Sequence, residues 1–180
     1  PSQFLENWCW TEEGIALISG HYETGETLPA EKLDRLLAAK NFQSAMQMVR
    51  QLEFSLFDFK IHSEFDPANP DRIQEQLDQV RQQVSVIMPP SFNRFQHSFG
   101  HIFAGGYAAG YYSYKWAEVL SADAFSRFEE EGIFNPKTGH DFLTNILHKG
   151  GSQEPAELFK AFRGREPSPD ALLRHSGIGQ

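Results

Sequence analysis

A tyrosine-rich segment offers the strongest candidate for chemistry in the sequence. Tyr107, Tyr111 and Tyr114 follow the pair Gly105-Gly106, and on a helix their i, i+4, i+7 spacing would place them on one face. A phenol can donate a hydrogen bond to a carbonyl oxygen or an oxyanion, so three phenols together could surround a polar ligand. The same spacing suits a stripe whose hydroxyls are satisfied by backbone and water. Spacing alone slightly favours that second interpretation.

Two histidines, His97 and His101, lie four residues apart just before this segment. On one helix face they could act as metal ligands. In the zinc-binding motif HExxH, however, the residue after the first His is a Glu that serves as general base, and here that position is Ser98. We therefore predict no metal site in this chain and interpret the pair as loop residues or as hydrogen-bond partners of a ligand.

Other charged or glycine-rich motifs are weaker candidates. The acidic run at 129–131 is more typical of a solvated helix end than of acid–base chemistry, because consecutive helical residues point in different directions. Arg163 and Arg165 could bind a carboxylate, and surface ion pairing explains them equally well. Gly150-Gly151-Ser152 is too short for a phosphate-binding loop.

Composition limits the class of protein. The chain has 180 residues, 40% hydrophobic and 22% charged, and a net charge of −8, so a soluble globular domain is expected and nucleic acid is an unsuitable partner. No apolar run is long enough to cross a membrane, so no membrane partner is expected. Cys9 is the only cysteine, which indicates a reducing compartment and predicts a cytoplasmic location.

Helical periodicity in the sequence predicts the elements that carry the candidate site residues. We predict an all-α fold, a multi-helix array forming one unit over residues 1–180. The segment 91–106 is predicted to be irregular, with at most one turn of helix. On the helix predicted to carry the tyrosines, Tyr112, Trp116 and Val119 would lie opposite them and form core. The predicted helices cover residues 3–18, 29–39, 42–65, 71–87, 107–132, 135 or 138–147, 154–162 and 169–175.

The tyrosine segment and its surroundings resemble a known family. The run from Phe99-Gly100-His101 through the segment 104–114 to Trp116 is similar to the substrate-binding stretch of the thimet-oligopeptidase family. Further motifs in register extend the resemblance over essentially the whole chain, which matches the C-terminal third of family members. These motifs are Pro1-Ser2-Gln3 with Glu6-Asn7-Trp8, Leu52-Glu53-Phe54, residues 125–134, Gly150-Gly151-Ser152 and residues 162–167.

The resemblance implies an activity and indicates which part of the active site this chain would supply. Members are mostly helical zinc peptidases that cleave short peptides in a deep channel, and their zinc ligands and general base would all precede residue 1. We therefore expect this chain to be inactive alone, with no zinc of its own and with the N-terminal part of the enzyme as its partner. A non-catalytic helical peptide-binding module, able to self-associate, is the alternative.

The position of each residue in the family motif implies its role in the site. Tyr114 would stabilise the oxyanion, Tyr111 and Tyr107 would bind substrate, and His101 would meet the peptide backbone. Gly105-Gly106 would be a flexible segment that lets the loop close over the peptide. Glu6 would either support the metal site or cap a helix end.

Overall fold

The structure, a computed structural model, describes residues 1–179 and is all-α over that range, as predicted. Short 3₁₀ helices cover Asn7–Trp10 and Phe95–Ser98, and a π-helical turn covers Leu143–Leu147. The α-helices are α1 Ser2–Glu6, α2 Glu12–Ile18, α3 Ala30–Lys40, α4 Ser44–Ser63, α5 Arg72–Val84, α6 Gly100–Phe103, α7 Ser113–Glu131, α8 Pro136–Phe142, α9 Pro155–Arg163 and α10 Asp170–His175.

Two predicted helices differ from the observed ones. The helix predicted over 3–18 is interrupted at Thr11, which is extended and whose hydroxyl accepts a hydrogen bond from the Gly14 amide at 3.0 Å, so that it caps α2. The helix predicted from residue 107 begins only at Ser113, because residues 107–112 form turns. The segment 91–106 contains two single turns of helix, one more than predicted.

The predicted core side of the tyrosine helix is also wrong. Tyr112 is 44% exposed and Trp116 is 52% exposed, and Val119 is only half-buried. Tyr112 precedes the first residue of α7 and so does not share its helical register. Its ring stacks on the exposed ring of Phe59, with centroids 5.1 Å apart.

The described chain divides into two compact units. The first comprises residues 1–42 and 117–180, and the second comprises residues 43–116. Each is described by itself below, and the single unit expected from the sequence stays a prediction.

The first unit has an aromatic core. Phe4 stacks on Phe142 with centroids 4.1 Å apart, and Trp8 packs edge-on against Phe125 at 4.8 Å. The indole N–H of Trp8 donates to the Ile133 carbonyl at 2.9 Å, so the buried polar atom is satisfied. The buried members of this core are Phe4, Ala124, Phe125, Phe128, Phe142, Phe159 and Phe162.

A buried carboxylate ties the chain end of this unit to α7. Asp123 has no solvent exposure, and its side chain accepts hydrogen bonds from Arg165 Nη1 at 2.8 Å, from Arg163 Nε at 3.3 Å and from the Ser168 amide at 2.7 Å. The two arginines therefore do bind a carboxylate, that of their own chain. A buried charge must be paired in this way to be tolerated.

The acidic run at the end of α7 is paired as well. Glu130 accepts from Arg163, and Glu131 accepts from Arg127 and from the Thr138 hydroxyl. Desolvation raises the pKa of Glu129, but hydrogen bonds from His175 and Arg174 outweigh it and lower that pKa to about 2. These carboxylates therefore hold α7 to later segments of the chain.

The second unit packs α4 and α5 against the segment that carries the tyrosines. Its fully buried side chains include Phe57 and Leu77. Phe54 stacks on Phe95 with centroids 4.4 Å apart, which anchors the residues before α6. The buried members of this core are Phe54, Phe57, Ile61, Leu77, Phe99, Ile102 and Tyr111.

Replacement of Asp123 by Asn should lower the free energy of unfolding by roughly 3 kcal/mol, because Arg163 and Arg165 would face an amide that cannot neutralise them. Urea unfolding checks this result. The matched control is Glu166→Gln, which removes the exposed ion pair with Lys160 and should leave stability nearly unchanged. Equal stability of Asp123→Asn and the wild type would contradict the assigned role of Asp123.

Candidate active site

The four ring-bearing residues predicted for the site lie together in the second unit. The centroid of the Tyr114 ring is 5.0 Å from that of Tyr107, 5.3 Å from that of Tyr111 and 6.3 Å from that of His101. His101 also contacts Tyr111 edge-on, with centroids 5.7 Å apart. These four residues therefore form one cluster, which we call the tyrosine cluster: His101, Tyr107, Tyr111 and Tyr114.

The cluster is not the helix face that the spacing predicted. Tyr107 and Tyr111 lie in turns, and only Tyr114 is helical. The backbone between them reverses at Ala109, whose φ of +53° is uncommon for a residue with a side chain. The carboxylate of Asp58 accepts hydrogen bonds from the amides of Ala109 and Tyr111, each at 2.9 Å. These amides are thereby withdrawn from helical hydrogen bonding.

Asp58 is the residue that the sequence analysis missed. It lies in α4, where Phe54 and Ile61 sit on the same buried face at helical spacing, and its side chain is 1% exposed. An acidic residue on an apolar helix face was the available signal, because such a charge requires partners inside the protein.

The glycine pair before Tyr107 forms a tight turn that ends α6. A Cβ on Gly105 would lie 2.9 Å from the His101 carbonyl oxygen, and Gly106 has a φ of +78°. The amide of Gly105 donates to the Gly100 carbonyl at 2.8 Å, and the amide of Tyr107 donates to the His101 carbonyl at 3.0 Å. Both glycines therefore permit the close return of the chain that sets Tyr107 beside His101. Their predicted flexibility stays a prediction.

The phenols differ in their surroundings. Tyr111 is buried and its hydroxyl donates to Gln51 Oε1 at 2.9 Å. Burial raises the pKa of Tyr111, partly offset by the Arg50 guanidinium. Tyr114 is half-buried, and its hydrogen bond with the Tyr107 side chain raises its pKa to about 12. Both hydroxyls consequently stay protonated near neutral pH and can act as hydrogen-bond donors.

The histidines do not form a ligand pair. His97 lies in a 3₁₀ helix and His101 lies in α6, with the non-helical Phe99 between them, so they do not share a helix face. Within residues 1–179, no three or more His, Cys, Asp or Glu side chains are grouped so that they could hold a metal ion. Glu6 ends α1 on the exposed surface.

Comparison with known proteins shows the family to which the chain belongs. The model of peptidase family M3 matches residues 1–178, and the chain belongs to this family of metallopeptidases. It is 67% identical to oligopeptidase A of Haemophilus influenzae and 65% identical to the oligopeptidases A of Salmonella typhimurium and Escherichia coli. Each match covers 178 residues, which are 99% of this chain and 26% of the relative. The chain thus spans about a quarter of the length of these relatives.

The helices of the described residues include none with the length and apolarity needed to span a membrane.

Replacement of Tyr107 by Phe should lower the pKa of Tyr114 toward its ordinary value of about 10, because the hydrogen bond that favours the protonated phenol is lost. At pH 11 Tyr114 should be about one tenth ionised in the wild type and about nine tenths ionised in the variant, if the pKa falls from about 12 to about 10. Phenolate absorbance measures this, with Tyr114→Phe subtracted from the wild type and the double variant Tyr107→Phe/Tyr114→Phe subtracted from Tyr107→Phe.

The matched control for that titration is Tyr22→Phe, which removes a tyrosine that is 88% exposed in the other unit. It should leave the ionisation of Tyr114 as in the wild type. An unchanged pKa of Tyr114 in Tyr107→Phe would show that the hydrogen bond does not control this phenol.

Proposed function

We propose that this chain is part of the catalytic domain of a zinc-dependent oligopeptidase that hydrolyses short peptides. The convergence of His101, Tyr107, Tyr111 and Tyr114 in one cluster carries the proposal, and membership of peptidase family M3 supports it. A cytoplasmic location belongs to the proposal and rests on the single, exposed Cys9.

The residues of this chain do not fit a zinc site, since the described part contains no suitable group of ligands. In this proposal the zinc ligands and the general base come from residues outside the 180, and the chain is inactive alone. When bound, the metal would polarise the scissile carbonyl. The contribution of this chain is to bind the peptide and to stabilise the charge that develops on that oxygen.

Tyr114 is the proposed oxyanion donor. Attack on a peptide bond places negative charge on the carbonyl oxygen, and a positioned neutral phenol stabilises that charge by a hydrogen bond. A phenol is protonated near neutral pH even at its ordinary pKa of about 10, and the raised pKa of Tyr114, about 12, is consistent with its acting as a donor. Because an oxyanion is a stronger acceptor than the oxygen of a phenol, it would take over the hydrogen bond that Tyr114 shares with Tyr107 in the free protein.

The other members of the cluster would bind substrate. His101 is exposed and Tyr107 is half-buried, so both have surface for contact with a peptide backbone. Tyr111 is held by Gln51, and in this proposal its hydroxyl meets the substrate by exchanging that partner. Gly105 and Gly106 place Tyr107 against the peptide. Short peptides are therefore the proposed substrates.

Tyr114→Phe in the full-length enzyme should lower kcat by roughly 10²-fold or more, because the oxyanion loses a hydrogen-bond donor while the ring is kept. Hydrolysis of a fluorogenic peptide, normalised to zinc content, measures it. The matched control is Tyr112→Phe, which changes a neighbouring exposed tyrosine stacked on Phe59 and should retain wild-type kcat. A wild-type kcat for Tyr114→Phe would assign that hydroxyl to packing.

The 180-residue chain purified alone should contain no stoichiometric zinc and should not hydrolyse peptides, because its described residues form no ligand group. Elemental analysis and a peptide-cleavage assay check both statements. The full-length protein, handled identically, is the positive control. A tight 1:1 zinc site with turnover in the chain alone would overturn the proposed division of the active site.

A second candidate is a helical module that binds peptides or partner proteins without hydrolysis. An apolar cavity of about 560 Å³ in the first unit, bordered by Leu120, Phe142, Ile146 and Phe159, favours it. Apolar surface of this kind binds another chain or promotes self-association. Calorimetric binding of peptide by the full-length protein without hydrolysis would favour this candidate over the first.

A further inference from the structure

We infer that Asp58 is a positioning residue for the tyrosine cluster: its buried carboxylate holds the turn at residues 107–112 in the conformation that gives the phenols their observed arrangement. The inference rests on the proposed function, since it assigns Asp58 a part in that same site. Asp58 touches no reacting atom in this account and acts through the backbone of Ala109 and Tyr111.

The geometry of the contact supports this role. One carboxylate oxygen, Oδ1, accepts the Ala109 amide and the other, Oδ2, accepts the Tyr111 amide, both at 2.9 Å. The sequence separations are 51 and 53 residues, so α4 reaches across the unit to fix the turn. Two hydrogen bonds to one planar group fix the direction of the backbone as well as its distance. The direction of this backbone sets the position of the Tyr111 ring. It also sets the course of the residues that lead from Tyr111 to Tyr114.

His62 holds the carboxylate itself in place. Its Nδ1 lies 2.9 Å from Asp58 Oδ1 and 2.8 Å from the Asp58 carbonyl oxygen, and both are acceptors. Nδ1 must therefore carry a proton, which it donates to these oxygens. The histidine is 30% exposed, whereas the aspartate is 1% exposed. His62 therefore donates to the same carboxylate oxygen that accepts the Ala109 amide, and it restrains the side chain of Asp58.

The turn needs such a holder because its backbone is unfavourable. Ala109 has a φ of +53°, a conformation that L residues other than Asn and Asp rarely adopt. Such a residue persists only where the surroundings over-determine it. Here the carboxylate binds the amide of the strained residue and the amide two positions later. Without the carboxylate, residues 107–112 would be free to leave this turn, for instance by joining α7, and the rings would lose their present contacts with one another and with His101.

A general role in core stability is the competing explanation, and local measurements separate the two. In the full-length enzyme, Asp58→Asn keeps the shape of the side chain but offers one acceptor oxygen for two amides. We expect hydrogen exchange to become about 10- to 100-fold faster in a peptide covering 107–112, from the loss of one buried hydrogen bond. Exchange in the middle of α5 should remain as in the wild type. A merely structural role would raise exchange in both places.

The catalytic readout is kcat per zinc-loaded, folded molecule. Asp58→Asn should lower kcat by about 10- to 100-fold and also raise KM, because the turn positions the oxyanion donor Tyr114 together with the substrate-binding residues Tyr107 and Tyr111. The matched control is Asp66→Asn. Asp66 also accepts a backbone amide, that of Ala68 at 2.9 Å, but in an exposed turn away from the cluster. The kcat of Asp66→Asn should equal that of the wild type.

If Asp58→Asn does not fold, His62→Ala decides the question. It keeps the carboxylate and both amide bonds but frees the side chain of Asp58. Exchange in 107–112 and kcat should then change in the same directions by about three- to tenfold. Wild-type exchange and kcat in this variant would overturn the inference.

Tyr114→Phe separates failure of the inference from failure of the proposed function. If Tyr114→Phe is slow and Asp58→Asn has wild-type kcat and exchange, the inference is wrong and the proposed function stands. If Tyr114→Phe has wild-type kcat, the oxyanion role proposed for Tyr114 fails while peptide hydrolysis stands. If the full-length wild type does not hydrolyse peptides, the proposed function fails, and with it any catalytic part for Asp58. Slow turnover of both variants, with exchange raised only in 107–112, supports the inference.

Discussion

The contact between the Asp58 carboxylate and the amides of Ala109 and Tyr111 determines the form of the candidate site. An ionised group with 1% exposure must find its hydrogen bonds inside the protein, and here it finds them on a turn more than fifty residues away. That requirement keeps residues 107–112 out of α7. The cluster of Tyr107, Tyr111 and Tyr114 is a consequence of this turn and of the glycine pair before it.

The first unit uses the same physical device for a different purpose. Asp123 is fully buried and binds Arg163, Arg165 and the amide of Ser168, so it fastens the end of the chain to α7. Aromatic packing around Phe4 and Trp8 forms the apolar core of this unit. In each unit, then, one buried aspartate orders a segment that has little regular structure of its own. The difference is that the segment ordered by Asp58 carries phenols.

Local patterns in the sequence predicted the elements, whereas contacts between distant residues decided the site. The apolar period of 42–65 placed α4 within two residues of Ser44–Ser63, because that helix buries one continuous face. The spacing of Tyr107, Tyr111 and Tyr114 predicted a shared helix face, which was wrong, although the three rings do cluster. The family resemblance pointed to His101 and these tyrosines, which the structure brings together, and their roles stay predictions. The geometry of these residues depends on Asp58. The local sequence around residue 107 cannot predict a contact with a carboxylate in α4, about fifty residues away.

The central claim is that Tyr114 faces the oxygen that becomes charged during peptide hydrolysis. The most direct measurement is a crystal structure of the full-length enzyme with zinc and a phosphinic peptide, whose tetrahedral phosphinyl group imitates the transition state. The account predicts the Tyr114 hydroxyl at about 2.5–3.0 Å from a phosphinyl oxygen, the distance of a charge-assisted hydrogen bond. A Tyr114 hydroxyl that still binds Tyr107 and makes no contact with the phosphinyl group would contradict it.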